Sequence, residues 1–290
     1  MNINHLLSCM HTHTTFCDGK DDVEAMCLAA YEKKLHAIGF SAHVPMSKQT
    51  GFFCDWTMKD EDVGEYSRHV QEAKERWKGK LDVYLGFEID YVKGIRTQFD
   101  NDIKIVNPDY LIGSVHFAVP ANGTRIFAVD SPLEDFEKGL QEGFNNDGEA
   151  LMHNYYDILA EMISLGGFEI LGHADIVKKN CMGRCLWPAE SEAARQREIA
   201  CAAKKAGIAI EINTGGINRK KINDLYPSAS FLQILHEYDV PVIITADAHC
   251  AADIAGSYDI AVQKLKQIGF MKHAVPYVKN KKIILQNETL

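Results

Sequence analysis

The sequence predicts an α/β fold in which a parallel sheet is wrapped by helices. Two observations carry this. Short apolar runs alternate with longer amphipathic runs along nearly all 290 residues. The short runs are continuously apolar rather than alternating, the pattern of strands buried on both faces of a parallel sheet. A third observation, the length, suits a single α/β barrel. No Gly-, Pro- or Ser-rich linker, low-complexity tract or repeat divides the chain, so 1–290 reads as one domain.

Taken in order, Leu6-Leu7-Ser8-Cys9-Met10 reads as the first buried strand. Val23, Met26, Cys27, Ala30 and Tyr31 then recur at helical spacing over 21–35. Asp21 with Glu24 three residues on resembles a capping box. A strand over 36–42 and a helix over 59–77 come next, then a strand over 83–87 and a weaker helix over 96–106. After these come a strand over 110–115 and a helix over 149–165 that stops at Gly166-Gly167. The remaining pairs are strand 168–172 with helix 188–205, strand 208–212 with helix 229–237, and strand 240–246 with helix 251–268. The count is seven main strands, with 281–285 as a peripheral one. The polar, Gly-dotted stretch 117–148 reads as an insertion with short helices.

Composition narrows the function. The chain is 46% hydrophobic and 24% charged, as in globular proteins, and its formal net charge is -9. That balance lacks the basic footprint of a duplex-binding protein. No basic n-region precedes an apolar run at the start, and no apolar stretch approaches the ~20 residues of a membrane span. The expected location is the cytoplasm, with no nucleic-acid or membrane partner and no oligomeric state specified. The eight cysteines form no close-spaced framework and are expected as free thiols. Cys181 and Cys185 make a single CxxxC pair, weak as a zinc motif.

The chemistry lies at the carboxyl end of each strand. His11, His13 and Asp18 stand just past the first and His43 past the second. Glu88 ends the third, His116 the fourth, His173 the fifth and Asn213 the sixth, and Asp247 and His249 end the seventh. Parallel α/β folds place ligands at the carboxyl ends of their strands. In extended backbone, residues i and i+2 share a face. His11 and His13, and again Asp247 and His249, can therefore address one cluster. Imidazole and carboxylate together suit zinc, manganese or iron. Any single member is weak, since HxH occurs by chance; recurrence at successive strand ends carries the inference.

Read together, His11-Thr12-His13-Thr14 with Asp18-Gly19, Ser41-Ala42-His43, Gly86-Phe87-Glu88, Ser114-Val115-His116, Gly172-His173 and Ala246-Asp247-Ala248-His249 resemble the PHP (polymerase and histidinol phosphatase) superfamily. Phe87-Glu88-Ile89-Asp90-Tyr91, Asn213-Thr214-Gly215-Gly216 and Asp18 make the chain most similar to its monofunctional histidinol-phosphate phosphatase branch. The resemblance spans 11 to about 258. It implies a distorted (β/α)7 TIM-like barrel with two or three divalent metal ions (Zn, Mn or Fe). His11, His13, Glu88 and Asp247 would hold one metal. Glu88 would bridge to a second with His116 and His173, and Asp18, His43 and His249 would hold a third. Glu88, Asp247 and His249 are the members taken as catalytic. The reaction implied is hydrolysis of L-histidinol phosphate, a small phosphate ester.

Asp18, Glu88 and Asp247 against three divalent ions would leave a positive site of about +3, suited to a phosphate dianion. Arg219, past the Asn213-Thr214-Gly215-Gly216 loop, is the first candidate to grip phosphate with its planar fork. Lys178 and Lys179 come next, and Asn213 is expected at substrate or behind a ligand. Asp175 would orient a His ligand or cap a helix. His153 is expected on a packed or exposed helix face. Phe52, Phe53 and Trp56 would cover the barrel end or close over an imidazole ring. Three other readings compete: an amidohydrolase, whose bridging lysine would stand where this chain has His116; a nucleic-acid-acting relative; and a non-enzymatic metal-binding protein.

Overall fold

The computed structural model describes residues 7–46, 54–121, 123, 125–181, 183–279 and 282–290. Leu6, Phe52, Phe53 and Lys281, each part of a sequence expectation, lie outside them. In chain order the elements are β1 (Ser8–Cys9), α1 (Val23–Glu32), β2 (Ala37–Phe40), α2 (Val63–Arg76), β3 (Asp82–Asp90), α3 (Asn101–Val106) and β4 (Tyr110–Ser114). The middle of the chain forms β5 (Phe117–Ala118), β6 (Phe127–Ala128), α4 (Leu133–Phe144), α5 (Gly148–Leu165), β7 (Ile170–Leu171), α6 (Lys178–Cys181) and α7 (Ala189–Ala206). The chain ends with β8 (Ala209–Asn213), α8 (Gly215–Asn218), α9 (Ala229–Glu237), β9 (Val242–Thr245), α10 (Tyr258–Ile268), β10 (Lys272–Lys279) and β11 (Lys282–Thr289).

The seven expected strands form one parallel sheet in the order β1-β2-β3-β4-β7-β8-β9. Beyond β1 and β9 the chain pairs again. A parallel bridge joins Thr12 to Ala248, with His13 N–H donating to the Ala248 carbonyl at 2.8 Å and Ala248 N–H to the His11 carbonyl at 3.0 Å. The sheet thus curls into a nearly closed, TIM-like barrel, and the bridge lies among the expected site residues. Among the described residues, no helix is long and apolar enough to cross a membrane.

The barrel is filled, not hollow. Tyr110 crosses its interior and donates to the Met10 carbonyl at 2.5 Å. Gly39 and Gly86 make room for it, because a Cβ on either would come within 2.4 Å of the Tyr110 ring or hydroxyl. Met10, Ala37, Tyr84, Tyr110, Ile112, Ile170, Ala209 and Ile243 form an apolar layer with Ala274 of β10 and Ile283 of β11. The β10–β11 hairpin is therefore a plug over the amino-terminal mouth. Sequence reading found half of β11 and missed β10, whose Lys272, Pro276 and Lys279 look like surface tail.

Other departures are local. The cap of α1 is Asp22, which accepts from Ala25 N–H at 2.8 Å; Asp21 instead accepts from Ala251 N–H at 2.7 Å. The 96–106 helix shrinks to α3, and the 251–268 helix begins only at Tyr258. The insertion holds a two-stranded ribbon, β5 with β6, and one twelve-residue helix, α4. All eight cysteines are free thiols.

Candidate metal centre and active site

All nine expected ligands meet at the carboxyl-terminal mouth of the barrel. β1 runs into extended backbone that turns His11 and His13 inward. Thr12, facing the other way, is pinned to β2 through its N–H to Ser41 Oγ (3.0 Å) and its hydroxyl to the Gly39 carbonyl (2.7 Å). Gly19 lets the next loop fold back, since a Cβ there would lie 2.5 Å from the His13 backbone. That return brings Asp18 Oδ1 to 3.4 Å from His13 Nδ1.

Glu88, 1% exposed near the end of β3, is the centre of the cluster. Its Oε2 lies 3.1 Å from His11 Nε2, 3.5 Å from His13 Nε2 and 3.2 Å from His43 Nδ1. Its Oε1 faces the other way, 3.0 Å from His173 Nε2 and 3.7 Å from His116 Nε2. The two His116 and His173 Nε2 atoms are 3.1 Å apart. Asp247 Oδ1 lies 3.3 Å from His13 Nε2 and 3.7 Å from His11 Nε2. His249 Nε2 is 3.0 Å from Asp18 Oδ2, and His43 Nε2 is 4.0 Å from Asp18 Oδ1. Asp247 adopts φ +48°, a left-handed conformation of the kind that concentrates at functional sites.

This donor set fits divalent cations. Groups whose ligand atoms lie within 4.8 Å of one another include His11-His13-Glu88, His11-His173-Asp247, His13-Asp247-His249 and His13-Asp18-His43. His11 Nε2 and His13 Nε2 are buried without a well-directed hydrogen bond, although carboxylate oxygens crowd both. A ring nitrogen aimed between carboxylates rather than at one has the geometry of a shared cation site.

Two carboxylates that sequence reading assigned no role complete the centre. Glu211, in β8, is fully buried. Its Oε1 lies 2.6 Å from His11 Nδ1 and accepts from Thr245 Oγ1. Its Oε2 accepts from His173 N–H at 2.7 Å and Asn213 Nδ2 at 3.0 Å. Asp90, also fully buried, lies 2.8 Å from His43 Nδ1 and 2.7 Å from His116 Nδ1. Carboxylates in these positions fix ring orientation and tautomer. The available signal was a Glu inside Ala209-Ile210-Glu211-Ile212, because a charge inside a buried strand needs a partner. With five carboxylates, three divalent ions would leave the site at about +1 rather than +3.

The field is strongly coupled. Burial opposes the charged form of Glu88, yet His11 and His43 hold its carboxyl well below the usual range. Burial likewise opposes the charge on Asp247, but Arg219 and His11 hold it well below. Burial would lower His11, His43 and His116. Glu211 and Glu88 instead raise His11 well above an ordinary imidazole, Asp90 and Glu88 do the same to His43, and Asp90 brings His116 up to about 9. His13 goes the other way, to about 4, through burial and then its neighbours His249 and His43.

The cluster floors a cleft of about 440 Å³. Arg219, just past α8, lines it, with Nη2 2.7 Å from Asp247 Oδ2 and Nη1 3.0 Å from His249 Nε2. Lys179 also lines it, donating to the Asp130 carbonyl at 2.6 Å. Trp56 stacks on Phe117, centroids 5.7 Å apart at 15°, as part of one wall. Two expectations need correcting. Lys178 does not line the cleft; its ammonium is held by Asp175 (3.1 Å), Asp224 (3.1 Å) and the Leu225 carbonyl (2.6 Å). Asn213 does not line it either. Fully buried, it donates to Glu211 and accepts from Gly215 N–H at 2.7 Å, so it bridges strand and loop. Asp175 accepts from Ser228 N–H at 2.8 Å, tying the loop after β7 to the start of α9. His153 sits half-exposed on α5, 3.7 Å from Glu149.

A barrel whose strand ends converge on His and carboxylate donors defines a metal-centred hydrolase class, and the model of the PHP domain matches residues 10–215. The chain belongs to the PHP domain family. A probable histidinol-phosphatase of Deinococcus radiodurans is 27% identical over 260 residues, covering 89% of this chain and 92% of its own. The histidinol-phosphatase of Bacillus subtilis is 26% identical over 275 residues, covering 88% and 97%. Among solved structures, hisK from Listeria monocytogenes superposes with a TM-score of 0.77 at 24% identity, over 87% of this chain and 99% of that one. Histidinol phosphate phosphatase from Lactococcus lactis, complexed with Zn, L-histidinol and phosphate, superposes with a TM-score of 0.69 at 18% identity, over 96% and 99%.

Proposed function

We propose that this chain is a metal-dependent phosphomonoesterase that hydrolyses L-histidinol phosphate to L-histidinol and phosphate, acting as one domain in the cytoplasm. The single observation that carries the reading is Glu88 with its two oxygens directed at two separate groups of histidines. Similarity to histidinol-phosphatases over nearly the whole chain supports the substrate. Eight free thiols fit a reducing compartment.

His11, His13, Glu88 and Asp247 would hold one divalent ion, Glu88, His116 and His173 a second, and Asp18, His43 and His249 a third. Such ions, when bound, supply Lewis-acid stabilisation of phosphoryl oxygens and lower the pKa of water. The residues themselves do the placing. Glu211 and Asp90 keep the rings of His11, His43 and His116 presenting Nε2 to the cleft, while Arg219 offers a planar fork to phosphoryl oxygens. Lys179 adds a second cation at the rim, and the Trp56–Phe117 stack shields one side from water. A nucleic-acid substrate is disfavoured by the net charge of -9. The amidohydrolase reading lacks its lysine, since His116 occupies that strand end.

The test is phosphate release by metal-reconstituted protein from L-histidinol phosphate, p-nitrophenyl phosphate and a nucleoside monophosphate, with Asp247→Asn as control. Strong preference for histidinol phosphate, abolished in the variant, is expected. Turnover of the other esters alone discards the substrate; turnover of none, with metals verified in place, discards the phosphatase.

A further inference from the structure

Tyr226 lines the cleft and is 3% exposed, yet its hydroxyl has no hydrogen-bond partner among the described residues. Everything else about this side chain is fastened. Its backbone makes an antiparallel bridge to Asn213 at the end of β8, with N–O distances of 2.7 and 3.1 Å. Its ring covers Gly216, where a Cβ would lie 2.9 Å from Cε2. Lys178 Nζ sits 5.1 Å from the ring centroid, within cation–π reach. Such clamping holds the one unpartnered polar atom of the side chain in place.

Buried hydroxyls almost always find a partner. Burial first, then Asp175 and Asp130, push the phenol above its ordinary pKa, with Arg219 opposing. The group therefore stays protonated and can donate. Arg219 shares the cleft wall, and its Nε is also buried without an acceptor. Two buried donors without acceptors, on neighbouring residues that line a cleft floored by a cation site, fit a ligand rich in acceptor oxygens.

We propose that Tyr226 is a substrate-contacting residue whose hydroxyl donates a hydrogen bond to a phosphoryl oxygen of the bound ester, beside Arg219. The proposal rests on the phosphatase reading. Tyr226 makes and breaks no bond; it adds a directed donor to the pocket that receives the phosphate.

Tyr226→Phe removes only the oxygen and keeps the ring over Gly216. In metal-loaded protein, kcat/KM for histidinol phosphate should fall about 10–100-fold, the range for a hydrogen bond to a charged acceptor. The inhibition constant of inorganic phosphate should rise about tenfold, with metal content by mass spectrometry and melting unchanged. Both constants within twofold of wild type would overturn the proposal. A crystal structure of metal-loaded wild type with inorganic phosphate decides independently, even if the variant folds poorly. Tyr226 Oη within about 3 Å of a phosphate oxygen supports the contact, and a greater separation overturns it. Wild type that neither binds phosphate nor releases it from any ester overturns the phosphatase reading and this proposal together.

Discussion

The two mouths of the barrel are built from the same seven strands and could hardly differ more. At the amino-terminal mouth, Ala37, Tyr84, Ile170, Ala209 and Ile243 pack against the β10–β11 hairpin in a dry layer. At the carboxyl-terminal mouth the same strands continue into Glu88, His173, Glu211 and Asp247, buried just as deeply. One end is apolar surface taken from water, which stabilises the fold. The other is a concentration of charge that burial opposes and pairing rescues. Stability and chemistry are thus separated along each strand by only a few residues.

The sharpest way to break this division is Ile243→Ala. Truncating a buried isoleucine costs about 2–5 kcal/mol, read from urea unfolding. The fraction that stays folded should turn over substrate within about threefold of wild type. Asp247→Asn, at the end of the strand that carries Ile243, should do the reverse. If Ile243→Ala abolished turnover in fully folded protein, the two mouths would not be separable.

A finer probe is Glu211, which belongs to none of the three groups of expected ligands yet reaches His11, His173, Asn213 and Thr245. Glu211→Gln keeps the volume and removes the charge. Metal affinity, measured by chelator competition, should drop about 10–100-fold. An unchanged affinity would reduce Glu211 to strand packing.

The smallest effect is a proton count. Without metal, His11, His43 and His116 have pKa values raised by carboxylates, His116 to about 9. They therefore carry protons near pH 7, and metal needs them neutral. Loading must then release protons, and affinity climbs as pH rises toward about 9. Calorimetric titration with metal in two buffers of different ionisation enthalpy measures the release. Equal heats in both buffers would refute it.

How legible each mouth is in the sequence depends on the same contrast. Strand cores showed as continuous apolar runs, and the nine clustered residues showed because each stands where such a run stops. Glu211 was harder to see because it lies inside β8, where the pattern is dominated by burial, and Asp90 because it follows Glu88 at the very end of β3, past the apolar run. Lys178 and Asn213 sat at the right places in the chain but were claimed by nearer partners, Asp224 and Glu211. Tyr226 reaches the cleft from a loop, where no period announces direction. The hairpin plug was masked by its lysines and Pro276, because a strand pair packed on one face resembles an ordinary tail.

The Thr12–Ala248 bridge has a temporal meaning. His11 and His13 are synthesised near the start of the chain, and Asp247 and His249 emerge more than two hundred residues later. Such a closure is among the most distant contacts the chain can make, and non-local contacts of this kind form slowly. A nascent barrel lacking its last strand would present two histidines and Glu88 without the residues that complete their cluster. Tight uptake of the ion that His11, His13, Glu88 and Asp247 would share should therefore follow the docking of the last strand, so that this ion acts as a seal on barrel closure.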